Sequence, residues 1–187
     1  MHYEMTVAGT TRSLKLCPIS KDLCIAAFLI LGDQELTVNC AAALLERAPK
    51  YDYLLTAEAK SIPLVHEMAR QNGDHTYIVA RKGPKLYMDN PICVGVKSIT
   101  TENEQKLYLD HKDLEMMRGK RILIVDDVIS TGRSLQALEE LAAAAGANVV
   151  GKMAILAEGD AAGREDIAYL ERLPLFTAKG EPLPFNA

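Results

Sequence analysis

The stretch from Arg121 to Ser134, Arg-Ile-Leu-Ile-Val-Asp-Asp-Val-Ile-Ser-Thr-Gly-Arg-Ser, constrains the fold more than any other part of the chain. Ile122 to Val125 is short, apolar and β-branched, so it reads as a buried parallel strand. It ends in Asp126 and Asp127, which places two acids at the sheet edge where open α/β proteins bind ligands. A Ser130-Thr131-Gly132 turn follows, with a helical pattern from about Arg133 to Ala145 behind it. Hydroxyls and backbone N–H groups at such a helix start suit a phosphate. Adjacent strand residues point to opposite faces, so the two acids need not share one task. One can reach a ligand hydroxyl; the other can hold the loop or bind Mg²⁺ through water. The stretch contains neither Gly-x-x-x-x-Gly-Lys-Ser/Thr nor Gly-x-Gly-x-x-Gly.

Around it, strands alternate with helices. Strands are expected at about Arg12–Cys17, Leu23–Leu31, Tyr51–Thr56, Thr76–Ala80, Val149–Leu156 and Leu173–Thr177. Helices are expected at about 34–47, 62–71 and 162–172, with Asn72-Gly73-Asp74 as a helix stop. Ile92–Ile99 and Gln105–Leu109 alternate like an antiparallel pair. This order predicts a central, mostly parallel sheet flanked by helices. The 187 residues carry no linker or repeat, so one domain is expected. A net charge of −4 argues against a nucleic-acid surface, and no apolar run is long enough for a membrane span. Four scattered cysteines and an N-terminus without a signal-peptide pattern point to the cytoplasm.

Val125 to Gly132 resembles the PRPP-binding motif of type I phosphoribosyltransferases. The resemblance implies that Asp126 and Asp127 hold the ribose hydroxyls of PRPP. It implies that Val128, Ile129, Ser130, Thr131, Gly132, Arg133 and Ser134 wrap the 5-phosphate. Glu58-Ala59-Lys60-Ser61, at a strand–helix junction, is similar to the family's pyrophosphate loop, with Ser61 where the family has Gly. Arg81-Lys82-Gly83-Pro84-Lys85 resembles a basic loop of the adenine members, which implies that Arg81, Lys82 and Lys85 neutralise the leaving group, in this subunit's site or a partner's. Residues from about 86 to 110 would be the flexible hood, in which Glu102 or Glu104 would assist a proton transfer at the purine. Residues from about 1 to 32 would be a base-side element, in which Ala26-Ala27-Phe28-Leu29 is similar to the xanthine members and Phe28 is a stacking candidate. Glu158 falls where the xanthine members carry a Lys; as an acceptor it would favour an exocyclic amine. Gly163-Arg164-Glu165 matches the adenine members.

The resemblance implies a type I phosphoribosyltransferase fold over residues 1–187 and a homodimer. The implied reaction is Mg²⁺-dependent purine salvage, with adenine favoured over xanthine, hypoxanthine or guanine. The metal would be held by PRPP and water, with Asp126 and Asp127 as its protein contacts, rather than by direct protein ligation. A PRPP-sensing transcription regulator is the rival class; it needs a DNA-binding module for which only about 30 N-terminal residues are spare.

Overall fold

The computed structural model describes residues 1–96 and 105–185. Its centre is a five-stranded, wholly parallel sheet. The strands are β4 (Tyr53–Ala57), β5 (Ile78–Ala80), β8 (Arg121–Ile129), β9 (Asn148–Glu158) and β10 (Ala168–Leu173), in the order β10-β9-β8-β4-β5. Side chains alternate across this sheet. Leu54, Leu123, Val125, Met153 and Ile155 enter one buried cluster, and Leu55, Ile122, Ile124 and Ala154 the other. Both faces are therefore covered, which explains why β8 reads as a continuous apolar run.

The first face carries helices α1 (Gln34–Leu45) and α2 (Ile62–Asn72), and over them a second sheet. That sheet is antiparallel and joins β1 (His2–Val7), β2 (Thr10–Pro18) and β3 (Leu23–Ala26) to β11 (Phe176–Thr177) from the far end of the chain. Phe176 is fully buried and meets the ring of Tyr3 edge-on at a centroid distance of 4.9 Å. The other face carries α3 (His111–Met117), α4 (Arg133–Ala144) and a two-stranded hairpin of β6 (Ile92–Val96) and β7 (Gln105–Leu109). Local chemistry sets the helix ends. Asp33 caps α1 by accepting from Leu36 N, Asp110 caps α3, and Gly73 ends α2 at a φ of +75° that other residues resist.

Several expectations change. The helix expected over 162–172 is a 3-10 turn (Gly159–Gly163) followed by strand β10. Its apolar spacing also fits a strand, and pairing with the free edge of β9 decides between the two. The strand expected over 23–31 stops at Ala26, where pairing with β2 ends. Strand β1 and helix α3 were not expected. β1 alternates weakly, and α3 has only 7 residues. Phe176→Ala should lower stability by about 3–5 kcal/mol, since it opens a cavity where the two chain ends meet. Urea unfolding followed by far-UV circular dichroism checks this; a loss under 1 kcal/mol would show that β11 is not integral to the fold.

Candidate active site

β4 and β8 pair only from Tyr53↔Ile122 to Leu55↔Ile124 and then part. Beyond that point β4 stays with β5, through Ala57↔Ala80, while β8 stays with β9, through Ile129↔Ala157. The chain continues from β4 to β5 on one side and from β8 to β9 on the other, so this gap is the topological switch point at the carboxyl ends of the strands. A cavity of about 430 Å³ fills it.

The sequence-predicted acids form its floor. Ser61 Oγ lies 2.5 Å from Asp126 Oδ1 and 3.2 Å from Asp127 Oδ1, and it accepts from Asp127 N–H at 2.9 Å. One hydroxyl proton serves one acceptor, and the shorter contact assigns it to Asp126. Lys60 Nζ stands 2.8 Å from Asp127 Oδ2, an ion-pair distance, although the contact lacks hydrogen-bond alignment and leaves that buried oxygen without a hydrogen bond. Desolvation and the Asp127 carboxylate push the Asp126 carboxyl above the usual carboxylate range, up to about 7, with the Ser61 hydroxyl opposing the shift. Ser61 is also the N-cap of α2, yet its side chain makes no cap bond; its hydroxyl is directed to the acids.

Glu58, Ala59 and Lys60 form the wall beside the acids, and the Glu58–Ala59 peptide is cis. Glu58 turns away from the acids. It accepts from Arg81 Nε at 2.6 Å and from Lys82 N–H at 2.6 Å. Burial works against its charge, but these two donors hold its carboxyl below the usual range. Arg81 donates onward to the Tyr87 hydroxyl at 2.6 Å. Of the three cations in the basic loop, Lys82 reaches the cavity lining, Arg81 orders the neighbouring loop, and Lys85 adds its field to Glu58 without lining the cavity. Arg81 and Lys85 do not line this cavity; the expectation placed them in this subunit's site or a partner's.

A recess of about 110 Å³ adjoins the cavity, formed by Val128 to Ser134 with Asp126 and Leu135. Gly132 is the N-cap of α4 at φ +75°, and the first turn of that helix contains no acid. Backbone N–H groups at such an end attract anions. Glu158 lies behind this turn. Burial raises its carboxyl above the usual range, opposed by a hydrogen bond with Ser130 and by the charge of Lys60. Phe28 is 7% exposed in the core cluster beneath the antiparallel sheet and is not among the residues lining the cavity. Glu102 and Glu104 lie outside the described residues. Lys106 and Leu107 of β7 line the cavity and were missed from sequence. Their signal was the alternation of Lys106 and Tyr108 with the buried Leu107 and Leu109.

A crevice at a switch point, floored by adjacent acids and bordered by the start of α4, is the arrangement in which open α/β proteins hold their ligands. The comparisons agree. Residues 40–177 match the phosphoribosyl transferase domain family. An adenine phosphoribosyltransferase of Renibacterium salmoninarum is 33% identical over 121 residues, 65% of this chain and 63% of that protein. A xanthine phosphoribosyltransferase of Bifidobacterium adolescentis is 30% identical over 122 residues, 64% of this chain and 62% of that protein. In each case the match spans less than two thirds of the relative's length. The crystal structure of adenine phosphoribosyltransferase from Thermoanaerobacter pseudethanolicus superposes with a TM-score of 0.69 at 21% identity, covering 85% of this chain and 95% of that one. The chain belongs to the phosphoribosyl transferase domain family, and its fold is the family's.

The raised carboxyl of Asp126 has a measurable consequence in the ligand-free protein. The folded state keeps its proton to higher pH than the unfolded chain does, so folding stability drains away as pH rises from about 4 to about 7. Asp126→Asn removes that loss. The urea midpoint of Asp126→Asn relative to wild type should therefore climb across this window. A difference that stays constant would mean that Asp126 ionises as it does in the unfolded chain.

Proposed function

We propose that this protein is a purine phosphoribosyltransferase, with adenine the favoured base, making a nucleotide and pyrophosphate from the free base and PRPP. The observation that carries the reading is the meeting of Asp126 and Asp127 with the Glu58–Ser61 loop across one crevice, directly before the Ser130–Ser134 turn. In this reading the acids accept hydrogen bonds from the ribose 2- and 3-hydroxyls. Ser61 and Lys60 hold those acids before the sugar arrives and share them afterwards. The 5-phosphate occupies the recess at the start of α4. The pyrophosphate lies against Lys60 and Lys82, with Lys106 on the opposite, hairpin side. The departing negative charge is thus met by cations already in place, which lowers the barrier more than it aids ground-state binding.

The donor set also fits Mg²⁺. Asp126 and Asp127 present carboxylate oxygens on the cavity floor, and one Asp127 oxygen there lacks a hydrogen bond. When bound through PRPP and water, the ion would neutralise phosphate charge. Support for a purine comes from the adenine and xanthine relatives. Glu158 is an acceptor, which suits an amine, but it lies against Ser130, so its effect on base choice would pass through the phosphate turn. A proton-assisting Glu102 or Glu104 and a base-side role for Phe28 belong to the same proposal.

The reading takes residues 1–187 as one domain, with about 1–32 at the base side and about 86–110 as the hood. The shared core of the antiparallel sheet with α1 and α2 supports it. We further propose a cytoplasmic homodimer. Fully exposed Leu86 and the half-exposed Tyr87, beside the basic loop, supply apolar surface for self-association. Among the described residues no helix is long and apolar enough to cross a membrane.

The test is an ultraviolet and chromatographic screen of adenine, xanthine, hypoxanthine and guanine with PRPP and Mg²⁺. AMP formation is expected, and turnover of none of the four bases would sink the proposal. Asp127→Asn should lower kcat/KM about 100-fold or more, because it removes an acid that contacts the ribose. Chelating Mg²⁺ with EDTA should abolish turnover, and added Mg²⁺ should restore it.

A further inference from the structure

Beyond the residues that line the crevice, one side chain from a distant part of the chain reaches the phosphate turn. A Cβ built on Gly132 would lie 2.6 Å from Arg164 Nη1. The guanidinium therefore sits against the N-cap of α4 so closely that no side chain fits at position 132 without displacing it. Its orientation is fixed from behind. Nε donates to Asp166 Oδ1 at 2.9 Å and Nη2 to Asp166 Oδ2 at 2.7 Å, a planar two-point contact that leaves the Nη1 edge toward Gly132. Asp166 is held in turn by Lys152 Nζ at 2.5 Å, and Lys152 by Glu139 at 2.9 Å. Lys152 belongs to β9 and Glu139 to α4, so the chain of charges starts and ends on the helix whose N-terminus it serves.

The charge placement is unusual for a helix start. Acids are the favoured residues there, because the helix dipole is positive at that end. Here the first turn of α4 has no acid, its first residue is Arg133, and Arg164 adds another cation beside the cap. Asp166 balances the Arg164 charge from behind, but the guanidinium, through Nη1 and Cζ, is the group that stands within 4 Å of a Cβ on Gly132.

We propose that Arg164 is a positioning residue for the sugar-phosphate turn: locked by Asp166, it braces Gly132 and adds positive charge where the 5-phosphate seats. This inference rests on the phosphoribosyltransferase reading above, and deepens it at the 5-phosphate end. It acts on one end of the ligand only. Pyrophosphate, expected some distance away at Lys60 and Lys82, should be indifferent to it.

Isothermal titration of the full chain with ribose 5-phosphate, PRPP and magnesium pyrophosphate tests this. Arg164→Met should weaken ribose 5-phosphate and PRPP about tenfold, as expected for loss of a charge acting on an anion. Pyrophosphate affinity should stay within about twofold. Arg164→Lys should recover part of the loss by restoring the charge without the two-point contact. Asp166→Asn should fall between wild type and Arg164→Met, since the guanidinium remains but loses its anchor. In the turnover assay the KM for PRPP should rise more than kcat falls. Equal weakening of pyrophosphate and ribose 5-phosphate, or unchanged ribose 5-phosphate affinity in Arg164→Met, would overturn the proposal while wild-type turnover leaves the enzyme reading intact. Failure of the wild type to bind PRPP or ribose 5-phosphate would remove both.

Discussion

The structure depends on a short pairing that stops. β8 and β4 share three residue pairs and then diverge, because β4 ends in the Glu58–Ser61 loop while β8 runs on for several residues beside β9. Polar backbone and carboxylates would be left exposed in the resulting gap. Ser61 and Lys60 cover them: one hydroxyl contacts both acids and one backbone N–H, and one ammonium stands against Asp127. The two halves of the site, from loops 65 residues apart, are joined through this cluster. Burial of Asp126, and after it the neighbouring Asp127 carboxylate, raise the Asp126 carboxyl above the usual range.

The apolar architecture makes such a cluster affordable. Two large buried clusters grip the parallel sheet from both faces, and residues such as Ile124 and Val125, fully buried just before the acids, fix the strand's register. A one-residue slip would exchange Asp126 and Asp127 across the faces. The N-terminal strands and β11 contribute to one of these clusters, so the chain's ends stiffen the same face that carries α2 and its Ser61 cap. Precision at the crevice is set by packing many residues away, which is the usual condition for electrostatic preorganisation.

The basic loop sends neighbouring cations to different contacts. Arg81, Lys82 and Lys85 are close in sequence, yet they do different things. Glu58 captures Arg81 and the backbone of Lys82, and this directs Lys82 into the cavity while Arg81 becomes part of the wall's support. Lys106 arrives from across the hairpin. Its strand is tied to the loop through the Arg81–Tyr108 backbone bonds of 2.9 and 2.8 Å. This side of the cavity is thus assembled from segments that no local pattern connects.

The alternation of strands and helices from α1 to β9, the central strand with its two acids, and the Ser130–Ser134 and Glu58–Ser61 turns at strand–helix junctions were legible in the sequence, whereas β1 and α3 were not. The legible features are local: apolar periodicity, Gly and Pro punctuation, and charged residues at fixed offsets within one stretch. Strand β10 was misread because its apolar spacing fits two periods, and only the open edge of β9 selects between them. The burial of Phe28, the diversion of Arg81 to Glu58 and the seating of Arg164 against Gly132 were likewise beyond reach. Each depends on a partner 23 or more residues away or on a whole packed layer, and long-range contacts leave no period in the chain. By itself, the sequence determined that two acids and a Ser-Thr-Gly turn stand at the carboxyl end of one strand, where a cavity lies. The tertiary structure decided which distant charges surround it, because only the closing of both sheets over their cores brings those side chains within bonding distance.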